Sequence, residues 1–293
     1  MSSYLDILQS PKRPKIGVVL SSGGIRPVAA IELFEFFEQA HIPIDLLVGC
    51  SGGGIASVLK ALGHTSSEMR QIIAELLQKK LFQIDYRTMA ALLRLPFSRF
   101  SKDRAMLRND PILENFEKLT VGCTFQDLKI KTILQATDWE TGEEVRLKNG
   151  HLAKAMYASS ACMPFLPPIY HEGRWLVDGG FSTFLPVLEA VSSNVDIIIA
   201  MDFNNKHSYH PKGLMQTFEH FITLYSKEAE RVENMLATDM HIHEIVLIDV
   251  YFDKPIQMWE KNALPLIFTQ GKIAVEKAKK QIIHAIETFG NEV

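Results

Sequence analysis

Short runs of consecutive apolar residues alternate along this chain with longer stretches in which apolar positions recur at helical spacing. Residues 16–21 form the first run, a pattern that suits a strand buried on both faces. Gly23 and Gly24 break it, and 28–40 reads as a helix nearly surrounded by apolar side chains, as for one packed between a sheet and other elements. A second run, 45–49, passes straight into Cys50-Ser51-Gly52-Gly53-Gly54 and then into a helix to about Leu62, with Gly63 as its stop. Ser66 or Ser67 is the expected cap of the next helix, over 68–81. Strand, turn and helix thus repeat twice, and parallel strands with right-handed crossovers are the default for that order.

Residues 87–118 read as helical but interrupted near Pro96 and Pro111, an arrangement suited to a cap over a site. Within it Leu92, Leu95, Phe97 and Phe100 stand beside Arg94 and Arg99, either as a lipid-facing lid or as the core side of a broken helix. Strands are predicted at 131–137 and 144–147, joined by a turn at Glu140-Thr141-Gly142, and again at 174–177, 195–201 and 245–250. A short helix over 152–160 precedes a proline-rich loop at 163–168, and long amphipathic helices are predicted over 214–239 and 270–289. The fold class implied is α/β, a three-layer α/β/α arrangement about a central, mostly parallel sheet. With no repeat, low-complexity segment or linker in sight, residues 1–293 are expected to form a single domain.

Composition narrows the function classes. Of 293 residues, 47 % are apolar and 22 % charged, so a sizeable core needs no disulfide or metal staple. The formal charge is −3, without the basic bias of a nucleic-acid-binding domain. Cys50, Cys123 and Cys162 are odd in number and widely spaced, which suggests neither a disulfide framework nor a metal site. A reducing, cytoplasmic setting is the default. The polar N-terminus lacks the apolar core of a signal peptide, and no apolar stretch approaches the ~20 residues of a membrane span. Leaderless export through a dedicated secretion system leaves no such mark, so the sequence leaves it open.

Three segments carry candidate chemistry. Gly49-Cys50-Ser51-Gly52-Gly53 fits the G-x-S-x-G nucleophile elbow, placed between an apolar strand and a helix. A nucleophilic serine must stand clear of the backbone on a turn too sharp for side chains two residues away, hence Gly49 and Gly53. Ser51 would then lie at a helix N-terminus, where the amide dipoles favour developing negative charge. Ser22-Gly23-Gly24-Ile25-Arg26 follows the first strand, and its amides can serve as an oxyanion hole. It is not a Walker loop, since no G-K-[ST] follows, nor a dinucleotide fingerprint, since Val28 and Ala29 stand where a third glycine belongs. Asp178-Gly179-Gly180 ends a strand, where a buried aspartate can take a serine proton; a plain Asp-Gly turn is the commoner use of that pair.

In this order the three segments resemble the patatin-like phospholipase family, most clearly from about residue 16 to 190. Thr124-Phe125-Gln126-Asp127-Leu128, Ala136-Thr137-Asp138 with Thr141-Gly142, and Ala158-Ser159-Ser160-Ala161 with Pro164, Pro167 and Pro168 extend the likeness. The resemblance implies an acyl hydrolase with Ser51 as nucleophile and Asp178 as general base. Gly23, Gly24, the Ile25 amide and Arg26 would form the oxyanion loop, and no metal or cofactor would be needed. Its substrate would be a phospholipid, lysophospholipid or other acyl ester, met through peripheral membrane contact; the oligomeric state is not implied. Two positions depart from the pattern: Ser22 replaces the first of three usual glycines, and Pro27 follows the basic residue where glycine is frequent.

Two rival readings have their own support. Ser51, Asp178 and His241 or His243 follow the Ser…Asp…His order of α/β-hydrolases, although that fold sets several strands before its elbow. The altered oxyanion loop is also compatible with a weakly catalytic regulatory or adaptor protein. Trp175 and Phe181-Ser182-Thr183-Phe184-Leu185 flank Asp178 and are candidates for an acyl pocket or for ordinary core. Lys272, Lys277, Lys279 and Lys280 read better as a solvated helix face than as a contact for anionic lipid.

Overall fold

The computed structural model describes residues 3–77, 81–93, 101, 103–205 and 213–292. Helix α1 (Tyr4–Gln9) leads to β1 (Ile16–Leu20), a short 3-10 turn at Arg26–Ala30 and α2 (Ile31–Gln39). Then come β2 (Leu46–Cys50), α3 (Gly52–Ala61), α4 (Ser66–Leu76), α5 (Tyr86–Leu92) and α6 (Asp110–Thr120). The antiparallel segment follows: β3 (Lys131–Asp138), β4 (Glu144–Leu147), α7 (Leu152–Ser160), β5 (Ile169–His171) and β6 (Arg174–Asp178). The chain closes with α8 (Val187–Val191), β7 (Ile197–Asn205), α9 (Leu214–Met240), β8 (Ile245–Phe252) and α10 (Leu264–Glu292).

The eight strands form one sheet in the order β5-β6-β3-β2-β1-β7-β8, with β4 also on β3. The run β3-β2-β1-β7-β8 is parallel throughout, while β4, β5 and β6 pair antiparallel. Both faces are covered. Ile16, Val18 and Leu20 of β1 join the larger core with α2, α3, α7 and α10, whereas Val19 packs with Val187 and Ala190 of α8 and Ala237 of α9. The result is the expected three-layer α/β/α sandwich about a mostly parallel sheet.

One topological detail positions the site. A strand has two edges. β2 pairs with β3 at 131–135, β4 pairs with it at 134–137, and β6 pairs with it at 136–138. β4 overlaps both of the others, so β2 and β6 must share the opposite edge, end to end. Their C-termini meet there, Cys50 beside Gln135 and Asp178 beside Ala136. The expectation of Ser51 and Asp178 at adjacent strand ends therefore holds in an unforeseen form: the two strands are not lateral neighbours but abut head-on along β3.

Several sequence-based boundaries shift for identifiable reasons. The strand expected from Asp45 starts at Leu46, because the Asp45 carboxylate takes the Ile16 amide and a two-pronged bond from Arg13. The cap of α4 is Thr65, not Ser66 or Ser67. Its hydroxyl accepts from the Glu68 amide and the Glu68 carboxylate accepts from the Thr65 amide, a capping box. The helix expected over 28–40 begins as the 3-10 turn, with Pro27 in its first turn, where a missing N–H costs nothing. α1, β5 and α8 were not anticipated; each is at most six residues long, too short for periodicity to register. The proposed lid residues Arg94, Leu95, Pro96, Phe97, Arg99 and Phe100 lie outside the described residues, as do His207 and His210.

Candidate active site

Ser51 sits between β2 and α3 with φ 52° and ψ −120°, a conformation costly for a residue with a Cβ. The glycines around it show why the turn tolerates so little. A Cβ on Gly49 would lie 2.7 Å from the Gly54 nitrogen and from the Gly53 oxygen, and one on Gly53 would lie 2.5 Å from the Ser21 oxygen. Gly52 is tighter still: its Cβ would lie 1.9 Å from the carbonyl oxygen of Gly24. The elbow thus packs its backbone directly on the glycine loop after β1. Gly52 occupies a position where the motif sets no requirement, so its necessity was not legible in the sequence.

The hydroxyl of Ser51 donates to Asp178 Oδ2 at 2.6 Å. Both residues are buried. Asp178 Oδ1 accepts from the Gly180 amide at 2.8 Å. The backbone of Asp178 is held on both sides, its N–H by the Ala161 carbonyl at 3.1 Å and its C=O by the Thr137 hydroxyl at 2.9 Å. Burial pushes the Asp178 carboxyl up to about 6, against the opposing pull of the Ser51 hydroxyl and the Gly180 amide. Cys50 is free and buried, and burial together with the Asp178 charge drives its thiol well above the ordinary range, which suits packing rather than reaction.

A partner that sequence reasoning passed over is Ser159 of α7. Its hydroxyl accepts the Ser51 amide at 3.0 Å and donates to the Gln135 carbonyl at 2.6 Å. It ties the elbow to β3 and occupies the nucleophile's own N–H. In the sequence Ser159 stood only within the Ala158-Ser159-Ser160-Ala161 stretch that carries the family likeness, with no contact assigned to it.

The loop after β1 has a defined peptide orientation. Gly23 and Gly24 adopt φ 151° and 61°, and the Gly23 carbonyl accepts from both the amide and the Nε of Arg26, at 3.2 and 3.1 Å. Across a trans peptide the following N–H points the opposite way. Arg26 therefore fixes the Gly24 N–H by holding the Gly23 carbonyl. The Ser22 amide is taken by the Phe184 carbonyl at 2.9 Å, so glycine's replacement by serine there removes no donor from the site.

Ser51, Asp178, Gly24, Ile25 and Gly52 face a common cavity of about 190 Å³. Its remaining wall is mostly apolar, with Ile55 of α3, Ile73 and Leu76 of α4, Ile112 and Phe116 of α6, and Met258, beside the polar Ser22, Asn115 and Ser160. Trp175 and residues 181–185, which the sequence left open between acyl pocket and ordinary core, do not line it. Trp175 packs edge-on against Tyr170, with ring centroids 5.5 Å apart, and Leu185 lies in the smaller core on the other face of the sheet.

The histidines are elsewhere. His241 bonds through Nε2 to the Asp196 carbonyl at 3.0 Å, just before β7 begins, and His243 packs on Phe289. β7 runs parallel to β1, which runs parallel to β2, so this is the end of the sheet opposite Ser51. The Ser-Asp-His arrangement is therefore not formed by either residue.

A family model described as patatin-like phospholipase matches residues 18–191. Lysophospholipase NTE1 of Scheffersomyces stipitis is 22 % identical over 253 residues, covering 85 % of this chain and 16 % of that protein. Lysophospholipase NTE1 of Pyricularia oryzae is 28 % identical over 202 residues, covering 69 % and 13 %. The chain thus spans a small part of the length of these relatives. Among solved structures, VipD from Legionella pneumophila superposes with a TM-score of 0.45 at 12 % identity, covering 90 % of this chain and 67 % of that one.

Proposed function

The chain belongs to the patatin-like phospholipase family, and from that premise we propose that it hydrolyses lipid acyl esters with a Ser51–Asp178 dyad. The observation that carries the reading is the 2.6 Å bond from the Ser51 hydroxyl to Asp178 at the mouth of an apolar cavity. Ser51 Oγ attacks the ester carbonyl while Asp178 Oδ2 takes its proton. A base titrating near 6 is ionised at neutral pH yet still basic enough to share a proton in the transition state. The Gly24 N–H, set by Arg26 through the Gly23 carbonyl, donates to the tetrahedral oxyanion together with the Gly23 N–H, and the N-terminal dipole of α3 adds to the same field. Ile25 is a weaker donor than its position suggested: the Gly24 carbonyl is directed at Gly52, and the trans peptide turns the Ile25 N–H away from α3.

Asp178 then returns the proton to the departing alcohol oxygen, leaving an acyl ester on Ser51. Water enters, loses a proton to Asp178 and attacks the acyl carbon, and the fatty acid leaves with Ser51 restored. The acyl chain lies against Ile55, Ile73, Leu76, Ile112 and Phe116. Phospholipids and lysophospholipids are the substrate class that the relatives' names favour. No helix among the described residues is long and apolar enough to cross a membrane, and a peripheral encounter with lipid is the mode we assign. The test is release of p-nitrophenol from a medium-chain ester, with fluorophosphonate labelling in parallel. Ser51→Ala and Asp178→Asn are expected to abolish turnover and Ser51→Ala to abolish labelling; substantial turnover in either variant overturns the dyad.

A further inference from the structure

A second, larger cavity of about 930 Å³ adjoins the acyl cavity. Phe82 lines both, and the walls run on from one to the other through neighbouring residues: Leu81 to Gln83, Leu166 to Pro167, and Asp110 to Ile112. The floor is a braced backbone. The Asp85 amide donates to the Met106 carbonyl at 2.9 Å and the Arg108 amide to the Gln83 carbonyl at 2.8 Å. The Leu107 amide donates to the Phe165 carbonyl at 2.9 Å, in the loop that leads through β5 and β6 to Asp178.

The chemistry of the two cavities differs. The first is apolar, whereas the second is lined by Arg87, Arg104 and Arg108 with Asp85, Asp103 and Asp110. Formal charges balance, but partners do not. Asp85 is spent on the start of α5, accepting from the Arg87 and Thr88 amides and the Thr88 hydroxyl. Asp110 pairs with Arg108 at 2.5 Å, and Asp103 accepts from Ser101. Among the described residues, no carboxylate lies within ion-pair distance of Arg87 or Arg104. Arg87 and Arg104 thus line the cavity without an ion-paired carboxylate among the described residues, and guanidinium forks match the oxygens of a phosphate. Ile84 and Tyr86, in the same wall, are exposed apolar side chains at the rim, where a lipid surface would meet the protein.

We infer that this cavity is the headgroup subsite of the enzyme, taking the phosphate of a glycerophospholipid on Arg87 and Arg104 while the acyl chain occupies the Ser51 cavity. The inference rests on the hydrolytic reading above and adds the residues that set preference for a phosphate-bearing substrate. In such a lipid a short glycerol bridge joins the ester carbonyl to the phosphate, the arrangement that two contiguous cavities of opposite character would accommodate.

The test compares lysophosphatidylcholine with monoacylglycerol of the same acyl chain, both in the same neutral-detergent micelles. In Arg104→Ala and in Arg87→Ala the ratio of kcat/KM for the phospholipid to that for the monoacylglycerol is expected to fall about tenfold or more, the effect of losing a charge-assisted bond. Arg104→Lys is expected to recover part of it. A ratio within twofold of wild type in both alanine variants overturns the subsite. Arg87 is exposed in the first turn of α5, so its replacement keeps the test open if Arg104→Ala does not fold. Glycerophosphocholine is expected to compete with the lysophospholipid more strongly than inorganic phosphate does; equal inhibition by the two, with an unmoved ratio, marks a free-anion site and overturns the headgroup assignment. A wild type inert towards both lipids and towards a p-nitrophenyl ester removes the hydrolytic reading itself, whereas turnover with an unmoved ratio removes the subsite alone.

Discussion

Replacing Asp178 by asparagine should destroy activity and stabilise the protein, and the structure sets the size of the gain. The carboxyl is buried and its titration is displaced from 3.8 to about 6, chiefly by desolvation. At 1.36 kcal/mol per unit, the ionised folded form carries a penalty of about 3 kcal/mol relative to the unfolded chain. The sign follows from proton uptake. Between these two values the folded state holds a proton that the unfolded chain has released, so stability is greatest below the unfolded value and is lost as pH rises through about 6. Asparagine imitates the protonated carboxyl. Its Oδ1 can accept from the Gly180 amide, and its Nδ2 can donate to Ser51 Oγ, so both contacts of Asp178 survive. The variant should therefore exceed wild type by about 3 kcal/mol at pH 8 and by roughly half of that at pH 5, since wild type has by then lost only part of its advantage. Urea unfolding at the two pH values, followed by tryptophan fluorescence, measures both gaps. A variant less stable than wild type at pH 8, or a gap that does not grow from pH 5 to pH 8, refutes the assignment of Asp178 as a desolvated, titrating base.

Four further outcomes are expected. The kcat/KM of wild type for a p-nitrophenyl ester should rise to a plateau through about pH 6 as Asp178 loses its proton; an acid limb near 4 would point to another base. Ser159→Ala leaves the Ser51 amide without its partner and should lower kcat about tenfold to a hundredfold with little change in KM, and a kcat equal to wild type removes its positioning role. Gly52→Ala drives a methyl to 1.9 Å from the Gly24 oxygen and should abolish fluorophosphonate labelling, whereas Gly54→Ala meets side-chain atoms no nearer than 3.2 Å and the Gly49 oxygen at 3.5 Å, and should still label; labelling of both variants contradicts the close packing of elbow on loop. Leu76→Trp fills part of a cavity of about 190 Å³ and should shift preference from long-chain to acetyl esters about tenfold, and an unchanged chain-length profile places the acyl chain elsewhere.

Much of this arrangement was legible before any coordinates. The apolar runs at 16–21 and 45–49 announce β1 and β2 because strands buried on both faces admit few polar residues, and the glycine pattern that follows each run marks a turn that must be sharp. Ser51 was singled out because glycines at fixed offsets are a steric requirement that sequence records directly, whereas Asp178 was assigned as the base through the family resemblance. What escaped was set by tertiary contact. Gly52 is required by the carbonyl of Gly24, from a different strand-to-helix turn. Ser159 is just a helical serine until α7 packs beneath the elbow. The apolar wall of the Ser51 cavity is drawn from α3, α4 and α6 rather than from residues flanking Asp178, since sequence neighbours of a strand end point alternately to either face of the sheet. Thr65 outdid the two serines beside it as a cap because Glu68 stands at the right distance to return the bond.

On the proposed dyad, the scaffold has to supply what a histidine and its carboxylate provide in a triad: an oriented base of suitable strength. Orientation here comes from the backbone. β2 and β6 abut on one edge of β3, so the two strand ends that carry Ser51 and Asp178 are indexed to the same ladder, Gln135 and Ala136. Bonds from Thr137, Ala161 and Gly180 then leave the carboxylate little freedom to turn. Base strength comes from burial, because in water an aspartate is too weakly basic to draw a proton from serine effectively near neutrality. Burial raises that basicity and destabilises the folded protein through one and the same desolvation, so the two cannot be adjusted independently. A change that admits water to Asp178 should lower its titration point, raise stability at pH 8 and slow acylation together. Variants around the dyad should accordingly fall along a single line relating stability to rate, with Asp178→Asn at its stable, inactive end.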